Sequence, residues 1–227
     1  MTYNIKSLRW DVAALVRVIR RLRPDVLVLQ EAPTLPGWRA RCAALARRCG
    51  LLYLAGGREA GGNLLLVTPR VAVEELVVDR TPEPWRDPIR GLIHATLRVG
   101  GSRLGLIGTH FGLRRAGRAN QLSYLIRALR ELSGLPTLLL ADMNELPDGP
   151  TWQALATAGL ADPGAEGAGG GFGGATFPSG SPSKRIDAIL ATAEVDVKEY
   201  RVPDEPEIRT DLMRATDHLP VLATIGI

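Results

Sequence analysis

The chain has 227 residues, of which 45% are hydrophobic and 23% are charged, with a formal net charge of +4. This length fits one large α/β domain that buries about 70% of its unfolded surface, so we predict a single domain over residues 1–227. The composition excludes a disordered protein. Because no stretch reaches the ~18 apolar residues of a membrane span and no signal-peptide pattern begins the chain, we predict a cytoplasmic protein without a membrane span.

Apolar periodicity predicts helices and strands that alternate along the chain. Asp11 is placed to cap a first helix, which Arg23-Pro24 ends, and Pro150 and Gly159 bound the last predicted helix. The predicted helices are 12–22, 37–49, 116–132 and one after Asp148. The predicted strands are 2–5, 25–30, 51–54, 63–67, 71–79, 90–98, 103–109, 138–140, 186–191, 196–202 and 219–225.

The two cysteines, Cys42 and Cys49, share one face of the predicted second helix with Trp38 and Leu45. Seven helical residues separate two Cα atoms by about 10 Å, which is too far for a disulfide. We therefore predict two reduced core thiols and no metal site on this helix.

The stretch 164–174 has seven glycines in eleven positions and is interpreted as a mobile loop. It lacks the strand-to-helix context of a phosphate-binding loop.

Polar residues stand at the ends of several predicted strands. Asp142-Met143-Asn144 directly follows the apolar run 138–140. A buried carboxylate needs a cation or hydrogen-bond donors, which indicates a metal or a proton-transfer role, and the alternative is a turn that bonds to its own backbone. Similar residues at other strand ends favour a shared pocket. These residues are Asn4, Glu31, His110, Asp187, Asp217 and His218.

The order of these motifs resembles the endonuclease/exonuclease/phosphatase superfamily, the DNase I-like phosphoesterases. The motifs are Tyr3-Asn4-Ile5, Gln30-Glu31, Gly62-Asn63, Thr109-His110, Asp142-Met143-Asn144, Arg185-Ile186-Asp187 and Asp217-His218. The resemblance implies an α/β fold, a four-layer α/β sandwich in which two mixed β-sheets pack face to face with helices on both outer faces. It also implies a metal-dependent hydrolase of phosphoric esters.

The resemblance assigns each of these residues a role in catalysis by Mg²⁺ or Mn²⁺. Asn4, Glu31 and Asp217 are implied to hold one ion, and a second ion near Asp142 and Asn144 is left open. Asp142 is implied to orient and deprotonate the attacking water, and Asn144 to bind the water or a phosphoryl oxygen. Asp187 and His218 are implied to form a dyad on the phosphate, while His110 donates to a phosphoryl or leaving oxygen.

Thr109-His110 is similar to the DNase, sphingomyelinase and phosphatase branches rather than to the exonuclease III type. Ala141 and Met143 stand where the family usually has a glycine and an aromatic residue. His94, in the middle of a predicted strand, is interpreted as structural. Met1 lies only three residues before Asn4, so either the first strand is short or the true start lies upstream.

The basic residues after His110 indicate an anionic substrate, and the resemblance implies that it is a phosphoester. Together with Asn63 and Arg90, the arginines Arg114, Arg115 and Arg118 are the candidate substrate-binding residues. The short loops of the rim favour a small or simple substrate, and we expect a monomer. A Mg²⁺-dependent nuclease acting on DNA or RNA is the alternative, although aromatics make up only 5% of the chain. A catalytically silent binding module on the same fold is the remaining alternative.

Overall fold

The computed structural model describes residues 1–82, 88–165 and 174–226. The α-helices are α1 (Val12–Leu22), α2 (Trp38–Cys49), α3 (Arg115–Glu131), α4 (Pro150–Thr157) and α5 (Pro206–Ala215). The strands are β1 (Thr2–Asn4), β2 (Val26–Gln30), β3 (Leu52–Gly57), β4 (Asn63–Val67), β5 (Val71–Thr81), β6 (Arg90–Val99), β7 (Ser102–His110), β8 (Thr137–Asp142), β9 (Asp187–Ala191), β10 (Asp196–Arg201) and β11 (Leu222–Gly226).

These strands build two mixed sheets. The first has the order β1-β2-β4-β3, and the antiparallel pair β10-β11 adjoins it, because Val221, directly before β11, exchanges two backbone hydrogen bonds of 3.0 Å with Thr2. The second has the order β5-β6-β7-β8-β9. Since β7 and β8 are parallel and β9 is antiparallel to β8, the end of β7, the end of β8 and the start of β9 lie side by side. This register aligns His110, Asp142 and Asp187 in one row.

The two sheets pack face to face at very close range. A Cβ atom on Gly108 of β7 would lie 2.8 Å from Cγ1 of Val28 in β2, so only glycine fits there. Helices α1, α2 and α5 cover the outer face of the first sheet, and α3 and α4 cover that of the second. The predicted four-layer α/β sandwich is therefore confirmed.

Local sequence explains where the first helices begin and end. The Asp11 carboxylate accepts a hydrogen bond from Ala14 N at 2.9 Å, which caps α1. Arg23 ends α1 in a left-handed conformation (φ 50°) directly before Pro24. Gly50 ends α2 in the same conformation. Cys42 and Cys49 are free and buried in α2, as predicted.

Three features of the fold differ from the sequence prediction or lie outside the described residues. Helix α5 was not predicted, although Ile208, Leu212 and Ala215 are buried on one face of it. The last strand begins at Leu222 rather than at 219, because Leu219 N donates to the carbonyl of Thr176 at 2.7 Å. Most of the glycine-rich stretch, residues 166–173, lies outside the described residues. Within the described ranges no helix is long and apolar enough to cross a membrane.

Candidate active site

Asn4, the last residue of β1, lies at the centre of a buried polar site where the two sheets meet. The residue is 1% exposed, and its Nδ2 donates hydrogen bonds to Oδ2 of Asp142 at 2.8 Å and to Oε1 of Glu31 at 3.2 Å. Its Oδ1 accepts a hydrogen bond from the backbone N of Lys6 at 3.0 Å. Glu31 follows β2 of the first sheet, and Asp142 ends β8 of the second. One amide group therefore joins a carboxylate from each sheet.

Two backbone segments next to the Asn4 amide, one after β1 and one after β2, have a left-handed conformation. The φ angles of Lys6, Ser7 and Leu8 are 42°, 55° and 57°, and that of Glu31 is 52°. Side-chain-bearing residues rarely adopt such angles, which cost about 1 kcal/mol or more each. The backbone N of Ser7 donates to the carbonyl of Glu31 at 2.7 Å. The two left-handed segments thus hold each other in place and position Glu31 beside Asn4.

Lys6 forms an ion pair with Asp217, which follows α5. The ammonium group also lies 5.3 Å from the centre of the Trp10 ring. Oδ1 of Asp217 accepts a hydrogen bond from the hydroxyl of Thr216 at 3.2 Å. Lys6 was not selected from the sequence. The feature that could have identified it is its position, two residues after the asparagine that ends the first strand. Lys6 is thus paired with Asp217, which is one of the three residues predicted to hold the metal.

Asp142, Asp187 and His218 form a buried cluster on the other side of Asn4. Their ligand atoms all lie within 4.8 Å of one another. Oδ2 of Asp187 lies 2.8 Å from Nδ1 of His218, and Nε2 of His218 lies 3.9 Å from Oδ2 of Asp142. The Phe177 ring covers the imidazole at a centroid distance of 5.0 Å. The two residues predicted as a dyad are therefore in direct contact beside the predicted water-binding carboxylate.

The charges in this cluster follow from burial and proximity. Burial alone lowers the pKa of His218, but the carboxylates of Asp187, Asp142 and Asp217 outweigh it and raise that pKa to about 9. Burial raises the pKa of Asp142, while His110 and His218 oppose the rise. His218 is therefore an imidazolium at neutral pH, with Nδ1 donating to Asp187 and Nε2 free to donate to an oxyanion.

His110 lies between donor groups at both of its ring nitrogens. Burial lowers the pKa of His110 to about 3, so the ring is neutral. An amino nitrogen of the Arg90 guanidinium lies 3.2 Å from Nδ1. On the other edge of the ring, Nδ2 of Asn144 lies 2.8 Å from Nε2 and donates to the carbonyl of Phe111 at 2.9 Å. Nε2 also lies 3.3 Å from Oδ2 of Asp142, so His110 faces the buried cluster.

The arginines after His110 divide into two kinds. Arg114 and Arg115 are exposed at the start of α3. Arg118 instead donates to the carbonyls of Gly112 and Leu113 and to Oε1 of Glu145 at 2.7 Å, and its side chain is only 11% exposed. The bonds of Arg118 fix the loop between His110 and α3.

Asn63 is a second predicted substrate-binding residue that the structure places in a packed position. It is fully buried, and its Nδ2 donates to the carbonyls of Ala60 and Gly91, both at 2.8 Å. Gly91 directly follows Arg90, the partner of His110. Asn63 thus holds the backbone beside Arg90.

The donor set of the buried cluster fits a hard divalent cation. Magnesium and manganese prefer carboxylate and amide oxygens, which the predicted ligands Glu31, Asp217 and Asn4 carry. Asn4 here directs its Nδ2 toward Glu31 and its Oδ1 toward the backbone N of Lys6. Oδ1 of Asp187 is buried without a hydrogen-bond partner among the described residues. Because this orphaned oxygen lies within the cluster formed with Asp142 and His218, the neighbourhood in which a second ion was left open also fits a cation.

The fold and the site define a DNase I-like phosphoesterase. The model of the endonuclease/exonuclease/phosphatase family matches residues 1–218, and the chain belongs to this family of phosphoric ester hydrolases. No curated protein matches the chain.

Solved structures with the same fold cover the whole chain at low identity. The mannosyl-6-phosphatase of Bacteroides thetaiotaomicron is 18% identical, with a TM-score of 0.79 over 100% of this chain and 98% of that one. The TDP2 of D. rerio complexed with single strand DNA product is 17% identical, with a TM-score of 0.73 over 100% and 97%. A family member from Beutenbergia cavernae is 22% identical, with a TM-score of 0.74 over 100% and 70%. At these identities the likeness shows the fold.

Proposed function

We propose that the chain is a divalent-metal-dependent hydrolase that cleaves a phosphoester bond of a small or simple anionic substrate by in-line attack of water. The observation that carries the proposal is the bridge made by Asn4, whose amide joins Glu31 to the buried cluster of Asp142, Asp187 and His218. Burying so many ionisable groups costs several kcal/mol unless they meet a cation or an anionic substrate.

The residues of the chain divide the reaction between them. Glu31, Asp217 and Asn4 are the proposed ligands of Mg²⁺ or Mn²⁺, which when bound neutralises charge on the phosphoryl oxygens. Asp142 orients the attacking water and accepts a proton from it, and Asn144 lies beside Asp142.

Two histidines complete the proposed mechanism as donors to oxygen. His218, held as an imidazolium by Asp187, donates from Nε2 to a phosphoryl oxygen as negative charge develops there. His110, which is neutral, donates a second hydrogen bond to a phosphoryl or leaving oxygen without carrying charge.

A panel of phosphoesters with Mg²⁺ or Mn²⁺ tests this proposal. We expect hydrolysis of p-nitrophenyl phosphate or bis-p-nitrophenyl phosphate that EDTA abolishes and that Asp142→Ala lowers by about 10³-fold or more. The matched control is Asp148→Ala, an exposed acid on the following loop, which should leave turnover unchanged. Equal turnover in wild type and Asp142→Ala would favour the silent binding module. So would the absence of turnover together with no heat of Mn²⁺ binding.

The second candidate is a nuclease, which Arg114 and Arg115 favour because both are exposed directly after His110. Incubation with plasmid, single-stranded DNA and RNA beside bis-p-nitrophenyl phosphate separates the two candidates. Cleavage of the small diester alone would remove the nuclease.

A further inference from the structure

A cleft opens beside Glu31, and Asp142 is not among the described residues that line it. It has a volume of about 500 Å³, in the range of ligand pockets. Glu31 and Arg90 form its inner end, next to the proposed reaction centre, and Arg58 stands in its wall. The backbone of Gly62 forms part of its floor, where the Gly62 carbonyl accepts a hydrogen bond from Ala32 N at 2.8 Å.

The walls of this cleft are apolar although they face water. Leu35 is 68% exposed and Ile89 is 49% exposed, and Pro36 and Pro88 stand beside them. Exposed aliphatic side chains gathered around a concave surface mark a binding groove rather than a random surface. The prolines restrict the backbone, so the walls lose little entropy when a ligand binds.

The lining residues also limit what the cleft can bind. The polar side chains among the described lining residues are the neutral Ser7 and Thr34 and the charged Glu31, Arg58 and Arg90. Because Glu31 is a proposed metal ligand and Arg90 contacts His110, few groups remain to hydrogen-bond the hydroxyls of a sugar. None of these lining residues is aromatic, so a nucleobase has no ring on which to stack. An aliphatic group fits this lining best.

Arg58 adds a charge requirement. Its side chain is exposed, and it makes no ion pair or hydrogen bond with the described residues, whereas the neighbouring Glu59 pairs with Arg39. The guanidinium can therefore receive an anionic group at a distance from the reacting phosphate.

The position of the cleft assigns it to the leaving group. Asp142 and Glu31 both accept hydrogen bonds from Nδ2 of Asn4, and of the two only Glu31 lines the cleft. If water attacks phosphorus from the side of Asp142, in-line displacement directs the leaving oxygen toward Glu31, where the cleft opens.

We propose that this cleft binds the alcohol part of the substrate, and that this alcohol is an aliphatic chain carrying a second negative charge. The inference rests on the proposed hydrolase function. In the reaction, the oxygen of water forms a bond to phosphorus, the bond between phosphorus and the alkyl oxygen breaks, and that oxygen takes up a proton. The products are inorganic phosphate and the alcohol.

A series of monoalkyl phosphates tests the chain preference with a constant leaving group. Ethyl, butyl and hexyl phosphate all release primary alcohols of similar acidity, so the chemical step is matched. We expect kcat/KM to rise by about fourfold per methylene buried in the cleft. Leu35→Ser and Ile89→Ser should flatten this dependence. The control Leu113→Ser, at an exposed leucine outside the cleft, should retain it.

The charge requirement is tested with hexyl phosphate and its analogue that ends in a carboxylate. We expect the carboxylate to raise kcat/KM several-fold in the wild type and in the control Arg47→Gln on the outer helix α2, and to have no effect in Arg58→Gln. A carboxylate that lowers kcat/KM in the wild type would overturn this part of the proposal.

Binding of phosphonates separates this inference from the proposed function. Hexylphosphonate and methylphosphonate cannot be hydrolysed, and calorimetry in the presence of Mn²⁺ should show tighter binding of the hexyl compound, lost in Leu35→Ser. A flat chain-length series in an enzyme that hydrolyses p-nitrophenyl phosphate would overturn the cleft assignment and leave the hydrolase standing. Selective hexylphosphonate binding without any turnover would leave the cleft standing and overturn the hydrolase.

Discussion

Asp187 and His218 form a buried carboxylate–imidazole pair in which Nδ1 of His218 lies 2.8 Å from Oδ2 of Asp187. Asp187 is fully buried and His218 is 6% exposed, so the interaction is little screened by water. Asp187 fixes both the orientation and the protonation of the ring, and changing it should alter activity through His218.

We expect Asp187→Asn to lower the pKa of His218 from about 9, because the Asp187 carboxylate makes the largest contribution that opposes burial. Turnover should fall by about 10²- to 10⁴-fold. NMR titration measures the pKa, and the chain has only three histidines to assign. His94→Gln, outside the site, should change neither quantity, and an unmoved His218 resonance in Asp187→Asn would contradict the assignment of the pair.

The same pair makes stability depend on pH. Because folding raises the pKa of His218, its contribution is fully present below about pH 6.5 and is lost as pH rises through about 9. In EDTA, the free energy of unfolding of the wild type should fall across this window relative to His218→Gln. Urea unfolding at several pH values measures the difference, and parallel curves for the two proteins would disprove the linkage.

Lys6→Met should raise the affinity for Mn²⁺, because the Lys6 ammonium competes for the Asp217 carboxylate and repels the ion. The pair is partly exposed, so the expected gain is about three- to tenfold. Calorimetry measures it directly. Lys198→Met removes a lysine from another acid, Asp196, and serves as the matched control. Weaker Mn²⁺ binding in Lys6→Met would mean that Lys6 supports the ligand set instead of competing with the ion.

Arg118→Met should destabilise the protein by about 3 kcal/mol, since it leaves the Glu145 carboxylate buried without its cation. Glu145 also accepts a hydrogen bond from Thr151 N at 2.7 Å in the first turn of α4. The loss of the ion pair should therefore destabilise both the loop between His110 and α3 and the loop before α4. Urea unfolding of the single variants and of Arg118→Met with Glu145→Met gives the coupling. The control Arg115→Met, at an exposed arginine, should lower the free energy of unfolding by less than about 0.5 kcal/mol. A loss of substrate affinity at full stability would show that Arg118 binds substrate instead.

Cys42 and Cys49 should be inert to thiol reagents at pH 8 in the folded protein. Burial raises the pKa of Cys42 to about 11 and that of Cys49 to about 12, so almost no thiolate forms. Labelling with a disulfide reagent should require unfolding in urea. Rapid labelling of the native protein would indicate that α2 opens locally.

The sequence predicted the elements whose periodicity is strong, but not their partners in space. Strand β4 begins and ends where it was predicted, and α1 follows its Asp11 cap. Helix α5 was not predicted because its three buried residues lie among charged ones. Sheet order could not be predicted, because the pairing of β7 with β8 depends on contacts distant in the chain.

The same limit applies to the candidate site. The motifs selected the residues that meet at Asn4, because each stands at a strand end. Local patterns could not reveal that Arg118 bonds to Glu145 across 27 positions, or that Lys6 reaches Asp217 across 211. Long side chains choose partners through tertiary geometry, which periodicity does not encode.

The Asn4 bridge takes one carboxylate from each sheet, so neither sheet alone can assemble the site. A ligand that binds there should favour the native state over every form in which the sheets have separated, and the midpoint of thermal unfolding should rise in a single transition. Backbone amides of β1 and β8 should then exchange with deuterium more slowly together. A library of phosphoesters can accordingly be ranked by melting temperature alone, before any turnover assay exists.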